Sequence, residues 1–237
     1  MTSIGFSGVH QSDCFDTREN LLHLIMFDID GTLVDSCDFD NRCFIKTAET
    51  VLGIPLSANW EDYVSATDAG ILDEAIDRHK IPGEKSQIYK DFRKVFINLV
   101  SDQIERHSGS IREIPGARQF MNLLINRNDV RVAIATGGWE ETAMLKLQAA
   151  GINIEGVAFA SSSDHSVRTE IMKIAESRIS GDFEFESRTY FGDALWDKEA
   201  TRILGYRFIL VGSRIQYNPR IENYLDNSHL LSLLNLH

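Results

Sequence analysis

The chain has 237 residues, of which 43% are hydrophobic and 25% are charged, a composition typical of a folded globular protein rather than of a disordered or fibrous one. Its 24 Lys and Arg residues against 35 Asp and Glu residues give a formal net charge of −11 at pH 7, which disfavours nucleic acid and anionic membrane surfaces as partners. A small anionic substrate stays compatible with this charge only if the binding site locally reverses the field.

The first 20 residues lack the basic start and apolar centre of a signal peptide, and we treat residues 1–20 as an N-terminal extension. No apolar run in the chain approaches the roughly 20 residues of a membrane helix. We therefore expect a cytoplasmic protein. The odd number of cysteines (Cys14, Cys37 and Cys43) disfavours a disulfide framework, and their spacing matches no paired metal site. We expect free thiols.

The first buried strand is predicted at residues 23–27, where apolar side chains follow one another closely. The segment DIDGTLVD follows directly at residues 28–35. Its carboxylates Asp28 and Asp30 lie two residues apart at a strand end, and Gly31 lets the backbone turn tightly towards a ligand. One carboxylate can then act as a nucleophile while the other transfers protons.

A helical insertion is predicted after this motif, because about 100 residues separate the first strand from the second and a crossover needs only a dozen or more. Apolar residues recur at helical spacing in residues 40–52 and 85–107, for example at Phe92 and Phe96. A third helix is predicted at residues 69–79. We expect a small all-helical domain at residues 36–115, with hinges near residues 34–38 and 113–116.

The remaining chain alternates between apolar runs and helical patterns. Further strands are predicted at residues 130–135, 157–160, 188–191 and 207–211, and helices at residues 119–127, 140–150, 169–179 and 198–204. Residues 213–237 are predicted to form a final helix or a covering segment. This alternation predicts an α/β fold with a mostly parallel, doubly wound sheet, formed by residues 21–35 and 116–237.

Three of the later strands are also followed by loops whose residues are suited to binding or catalysis. Thr136, Gly137 and Gly138 offer a hydroxyl and backbone amides at a helix start, which suits a phosphate. The loop at residues 161–169 contributes Arg168 as its cation. Asp193 and Asp197 follow the fourth strand in the segment GDALWD, and such a carboxylate pair suits a hard divalent cation, of which Mg²⁺ is the expected one.

Taken in order, Asp-x-Asp-Gly-Thr-x-x-Asp, Thr-Gly-Gly and Gly-Asp-x-x-x-Asp resemble the motifs of the haloacid dehalogenase (HAD) superfamily over residues 21–212. The helical insertion resembles the C1 cap of that superfamily, as in its phosphoglycolate phosphatases and beta-phosphoglucomutases. The resemblance implies the strand order 3-2-1-4-5, which places the first strand at the centre. Open α/β sheets bind ligands at the carboxyl edge near such an order reversal.

By this resemblance, Asp28 is the nucleophile that forms an aspartyl-phosphate, and Asp30 protonates the leaving alcohol and then activates water. The implied phosphate-binding groups are Thr136, Gly137 and Arg168. The implied Mg²⁺ ligands are Asp28, the Asp30 backbone carbonyl and Asp193, with Asp197 either as a further ligand or as a partner of the ligands. Arg168 stands where the family more often has Lys, and Lys173 is the reserve candidate. The presence of Asp30 favours C–O–P cleavage over C–Cl or C–P cleavage.

The resemblance leaves several points open. Thr67 and Asp68 interrupt the helical pattern of the insertion, either as a substrate-specificity loop or as the N-cap of a helix. Trp139 is a candidate for lining the cleft, whereas Trp196 is expected to pack in the interior. The expected activity is a Mg²⁺-dependent phosphatase for a small phosphorylated metabolite, as a monomer or homodimer. The alternatives are a phosphomutase of the beta-phosphoglucomutase type and a non-catalytic phosphate-binding module.

Overall fold

The computed structural model describes residues 22–107, 109, 111–179, 181 and 184–236, so the extension at residues 1–20 and Cys14 lie outside the described residues. The strands are β1 (Leu22–Phe27), β2 (Val34–Asp35), β3 (Arg112–Glu113), β4 (Val130–Ala135), β5 (Ala158–Ala160), β6 (Phe185–Gly192), β7 (Arg207–Val211) and β8 (Arg220–Ile221). The α-helices are α1 (Cys37–Val51), α2 (Asp68–His79), α3 (Lys85–Arg106), α4 (Ala117–Ile125), α5 (Glu140–Ala149), α6 (Arg168–Ser177), α7 (Leu195–Leu204) and α8 (Asn227–Leu233).

The main sheet has six strands in the order β5-β4-β1-β6-β7-β8, and all its pairs are parallel. This confirms the doubly wound fold class and the predicted order 3-2-1-4-5 of the five expected strands. The sixth strand, β8, is an addition that the sequence analysis missed in the segment after residue 213. Two residues are too short a run to produce the alternating or continuous apolar pattern by which strands are recognised.

Helices cover both faces of the sheet, which explains why β1 is apolar almost throughout. Ile25 and Phe27 belong to the core cluster that contains α4 and α5, and Leu24 and Met26 belong to the cluster that contains α6 and α7. Phe27 pairs with Ile134 of β4 on one side and with Phe191 of β6 on the other. The loops that follow these three strands therefore start side by side at one edge of the sheet.

In the order of the chain, helices α1, α2 and α3 and a short 3₁₀ turn at Trp60–Asp62 come after β1 and before β4. The chain leaves and re-enters the main sheet through an antiparallel ribbon, in which Val34 pairs with Glu113 and Asp35 with Arg112. The sequence predicted hinges at these two places but not their pairing, because two-residue strands carry too little pattern. The division into a core and a cap at residues 36–115 stays a prediction.

Aromatic packing joins the inserted helices to the rest of the molecule. Trp139, which precedes α5, is 1% exposed and packs against Phe44 of α1 and against Phe92 and Phe96 of α3. Phe44 and Phe96 also meet edge to face, with 5.4 Å between ring centroids. The apolar stripe of α3 is therefore buried, as its spacing predicts.

We expect Phe96→Ala to lower the free energy of unfolding by about 3–5 kcal/mol, because it leaves a cavity among three aromatic rings. The matched control is Asn98→Ala on the exposed face of the same helix, which should stay within about 0.5 kcal/mol of the parent. Urea unfolding followed by linear extrapolation measures both. A loss below about 1 kcal/mol for Phe96→Ala would contradict the role given to this cluster.

Two further sequence expectations can be compared with the described residues. Cys37 and Cys43 are free thiols, as expected. Within the described ranges, we find no helix that is both long enough and apolar enough to cross a lipid bilayer.

Candidate active site

The predicted motif loops meet in one cavity of about 70 Å³ between the carboxyl edge of the sheet and helices α1 and α2. Asp28 follows β1, Thr136 follows β4 and Asp193 follows β6, and all three line this cavity. Gly137 and Arg168 line it as well. The adjacent ends of parallel strands thus bring together residues that are far apart in sequence, as expected at an order reversal.

Three buried carboxylates form the floor of the cavity. One oxygen atom each from Asp28, Asp193 and Asp197 lies within 4.8 Å of the others, and the three residues are at most 5% exposed. Burial raises the pKa of Asp28 well above its ordinary value; the charges of Asp197 and Asp193 raise it further, while Arg168 opposes them. Burial and the Asp197 charge likewise raise the pKa of Asp193 to about 7.

Carboxylates clustered in this way repel one another and are buried away from solvent. A cation at their centre would therefore stabilise the charged form of all three. Hard oxygen ligands at this mutual distance suit Mg²⁺. The donor set therefore fits the divalent cation that the sequence analysis expected. Asp30 does not add its side chain to this group, and its backbone carbonyl as a ligand stays a prediction.

Gly31 makes room for this arrangement. Its φ of +75° lies in the left-handed region, and a Cβ atom there would come within 2.3 Å of Oδ2 of Asp193. A residue with a side chain would therefore be strained and would also displace the carboxylate. Both the backbone conformation and the close approach of Asp193 therefore require glycine at this position of the first motif.

Arg168 lies against the carboxylates at the first residue of α6. Its Nη1 is 3.0 Å from Oδ1 of Asp197 and 3.4 Å from Oδ1 of Asp28, and it donates to the Tyr190 hydroxyl at 3.2 Å. Its Nε is buried without a hydrogen-bond partner among the described residues. A Cβ atom on Gly137 would lie 2.4 Å from Nη2 of Arg168, so this guanidinium packs closely against the Thr-Gly-Gly loop.

The reserve candidate Lys173 is not brought to the site. It is exposed on α6 and pairs with Glu170 one turn earlier.

Tyr190 was predicted to lie in a strand, but its hydroxyl was not recognised as part of the site. Its hydroxyl donates to the Ala135 carbonyl at 2.8 Å and lies 3.4 Å from Oδ1 of Asp197, so it closes the floor of the cavity from beneath.

The side chain of Asp30, which also lines the cavity, has polar partners of its own. Ser36 donates to its Oδ1, and Lys146 of α5 donates to its Oδ2 at 2.7 Å. Lys146 is fully buried and also donates to Oδ1 of Asp40 in α1 at 2.7 Å. Burial alone would lower the pKa of Lys146, but the charges of Asp30 and Asp40 outweigh it and raise the pKa.

Lys146 and Asp40 are functional-site residues that the sequence analysis missed, although a signal was present. Lys146 lies three residues after Ala143 on the buried face of α5, and Asp40 lies three and four residues before Cys43 and Phe44 on the buried face of α1. Residues at this spacing share a helix face. A charged residue within an apolar stripe predicts a buried partner, but the pattern does not say which one.

A third missed residue is Arg214, in the loop after β7. Its Nη1 lies 3.0 Å from Oδ2 of Asp193, and its side chain lines the cavity with 41% exposure. No pattern in the segment after residue 213 pointed to it, because this segment carries no recognisable motif.

Of the proposed specificity residues, Thr67 and Asp68 line the cavity. Thr67 is also the N-cap of α2, since its hydroxyl accepts from the Gly70 amide at 3.0 Å, and it donates to the Ser166 carbonyl at 2.6 Å. Asp68 accepts the Trp139 backbone N–H at Oδ2, at 2.8 Å. The two readings left open by the sequence are therefore compatible, because a helix start can face a cleft.

Both tryptophan expectations need correction. The Trp139 side chain does not line the cavity, because it is buried among the phenylalanines of α1 and α3. Trp196, which was expected to pack in the interior, is half-buried at the second residue of α7 and lines the cavity. Burial of apolar area decides both positions, and the sequence did not indicate which of the two rings the inserted helices would cover.

Comparisons with known proteins agree with this geometry. A family model described as haloacid dehalogenase-like hydrolase matches residues 25–211. No curated protein matches the chain. A hydrolase from Pseudomonas syringae has 21% identity and a TM-score of 0.68, over 90% of this chain and 99% of its own.

Two other solved structures are similar. The beta-phosphoglucomutase of Clostridium difficile has 17% identity and a TM-score of 0.68, over 91% of this chain and 98% of its own. CbbY from Rhodobacter sphaeroides, in complex with phosphate, has 18% identity and a TM-score of 0.65, over 87% of this chain and 96% of its own. At such low identity these likenesses show the shared fold.

Proposed function

Because the chain belongs to the haloacid dehalogenase-like hydrolase family, we propose that it is a Mg²⁺-dependent phosphatase that hydrolyses a small phosphorylated metabolite through an aspartyl-phosphate. The observation that carries the proposal is the placement of Asp28. Its buried carboxylate lies in the cavity beside Arg168, with Asp30 two residues away on the same loop. Phosphate in the similar CbbY structure supports the substrate class.

In the proposed reaction, a carboxylate oxygen of Asp28 forms a bond to phosphorus while the bond from phosphorus to the ester oxygen breaks. Asp30 gives its proton to the departing alkoxide and later takes a proton from the water that attacks the aspartyl-phosphate. Thr136, the Gly137 amide and Arg168 bind the phosphoryl oxygens. The orphaned Nε of Arg168 supports this, because a buried donor without a partner is costly until an acceptor arrives.

The cation site has a defined place in this scheme. Asp28, Asp193 and Asp197 would hold the divalent ion, with the Asp30 carbonyl as a further proposed ligand. When bound, Mg²⁺ supplies positive charge that offsets the repulsion between the carboxylates and the phosphate.

We also propose that residues 36–115 act as a cap over the site. The cavity of about 70 Å³ is far smaller than the roughly 300–1,000 Å³ of pockets for drug-sized ligands, which supports a small substrate held in a closed state. Closure of a cap would keep bulk water away from the aspartyl-phosphate. A cytoplasmic location and a monomeric or homodimeric state stay predictions.

Hydrolysis of p-nitrophenyl phosphate with Mg²⁺ tests the proposed function. We expect turnover that falls at least about 100-fold after exhaustive chelation, since a metal supplies several kcal/mol of transition-state stabilisation, and that returns when Mg²⁺ is added back. Circular dichroism of the chelated protein controls for unfolding. Full activity in a folded, metal-free protein would disprove the metal dependence, and no turnover with Mg²⁺ would count against the phosphatase.

A further inference from the structure

The side of the cavity that helices α1 and α2 line is acidic. Helices α1 and α2 contribute Asp40, Asn41 and Asp68 as its polar side chains near the helix starts. Among the described residues that α1 and α2 bring to the cavity, there are two carboxylates and no Lys or Arg. A phosphate ester whose phosphoryl group is bound at Asp28 shares one cavity with these side chains.

Both described cations that line the cavity have carboxylate partners: Arg168 pairs with Asp28 and Asp197, and Arg214 pairs with Asp193. Lys146, which does not line the cavity, is held by Asp30 and Asp40. Asp68 has no salt bridge to a described residue. A second anionic group that reached the side formed by α1 and α2 would therefore meet the carboxyl groups of Asp40 and Asp68 and no Lys or Arg from these helices.

Asp68 offers a vacant acceptor on this side of the cavity. The residue is 7% exposed, its Oδ2 accepts the Trp139 N–H, and no described residue donates to its Oδ1. A carboxyl oxygen at the cavity wall that receives no hydrogen bond from the protein can accept one from a hydroxyl or ammonium group on a ligand. The aromatic rings of Phe44 and Trp60, which also line the cavity, are compatible with either group.

Resting on the proposed function, we propose that the leaving group of the substrate is not anionic and presents a hydroxyl or ammonium donor to Asp68. In a buried cleft, an anion brought near the oxygen atoms of Asp40 and Asp68 gains no hydrogen bond from these carboxyl oxygens, whereas a hydroxyl or ammonium donor does. The proposal disfavours the phosphomutase alternative, whose intermediates carry a second phosphate. It equally disfavours phosphorylated carboxylic acids such as phosphoglycolate.

Three esters that differ only at the far end of the leaving group test the proposal. In 2-hydroxyethyl phosphate, 2-aminoethyl phosphate and phosphoglycolate, the terminal group is a hydroxyl, an ammonium and a carboxylate. We expect kcat/KM for at least one of the first two to exceed that for phosphoglycolate at least 30-fold, and their ratio tells hydroxyl from ammonium recognition. Equal or faster turnover of phosphoglycolate would overturn the proposal.

Hydrolysis of p-nitrophenyl phosphate separates the two levels of inference. If this ester turns over but neither the hydroxyl nor the ammonium ester does, the substrate proposal fails and the phosphatase stands. If no ester is hydrolysed with Mg²⁺ present, the proposed function fails and the substrate proposal falls with it.

A charge-removing variant provides the second arm. Asp68→Asn keeps an oxygen acceptor for the Trp139 N–H, and we expect it to shift the ratio of kcat/KM values at least tenfold towards phosphoglycolate. The matched control is Asp73→Asn on the same helix, where the carboxylate pairs with Lys85 outside the cavity, and its ratio should equal that of the parent. If Asp68→Asn does not fold, Asp40→Asn serves instead, because it leaves Lys146 with one anionic partner fewer. An unchanged ratio in the folded variant would overturn the proposal.

Discussion

Replacement of Asp28 by Asn is expected to reduce kcat for p-nitrophenyl phosphate at least about 1,000-fold, because an amide cannot form the acyl-phosphate on which both half-reactions depend. The substitution keeps the shape of the side chain and one oxygen for Arg168, so the cavity should stay intact. Steady-state phosphate release, followed alongside the parent under identical Mg²⁺ conditions, measures the effect.

A stability measurement separates lost chemistry from lost folding in this variant. Burial raises the pKa of Asp28 in the folded state, so without metal the folded protein binds this proton more tightly than the unfolded chain does. The stability associated with this group is present below its unfolded pKa and is lost as the pH rises towards the folded value. An Asn side chain does not titrate in this range, so Asp28→Asn should abolish this loss of stability with rising pH.

The metal-free variant is therefore expected to be at least as stable as the parent at pH 7, and thermal unfolding without metal checks this. Parent-like turnover by the folded variant would rule out Asp28 as the nucleophile. Loss of activity accompanied by a large loss of stability would instead point to a structural role for this carboxylate.

The location of the site was predictable because it depends on short-range patterns and one topological rule. Apolar runs mark β1, β4 and β6 in the sequence, and the residues that follow parallel strands share an edge of the sheet. Asp28, Thr136 and Asp193 could therefore be grouped without coordinates. Arg168 was assigned to the same site as the cation of the loop at residues 161–169, where the family that the chain resembles more often has Lys.

Pairings across the inserted helices could not be predicted in the same way. Helical spacing shows that Lys146 and Asp40 face the interior, but α1 and α5 are about 100 residues apart in the chain, and no local rule sets their relative position. The same limit explains the error at Trp139, whose ring is covered by α3. Strand β8 was not predicted for another reason, because a two-residue strand is too short to show a hydrophobic periodicity.

The net charge of −11 gains a more specific meaning from these positions. Some of the surplus is concentrated in the cavity, where Asp28, Asp193 and Asp197 form the proposed cation site and Asp40 and Asp68 lie on the side that α1 and α2 line. In the proposed reaction, the first group of carboxylates would hold a divalent ion that offsets their repulsion of the phosphate, and the second would select against a further anion. Asp30 shares Lys146 with Asp40, and its replacement should reveal the order of the two half-reactions.

Asp30→Asn is expected to lower kcat by about 10²–10⁴-fold, the usual contribution of a general acid and base, and to make the aspartyl-phosphate accumulate. With p-nitrophenyl phosphate the leaving phenolate needs little protonation, so the first half-reaction continues, whereas hydrolysis of the intermediate loses the group that activates water. Intact-mass spectrometry of acid-quenched samples should then show protein carrying one phosphoryl group.

The matched control for this experiment is Asp35→Asn, which changes the exposed carboxylate at the other end of the same motif. This variant should turn over as the parent does and show no accumulated phosphoprotein. Rapid turnover by Asp30→Asn without a trapped phosphoryl group would show that another residue activates the water. Lys146, the buried partner of Asp30, orients that carboxylate in the structure but as an ammonium ion cannot accept the proton, so it could not take over the role unchanged.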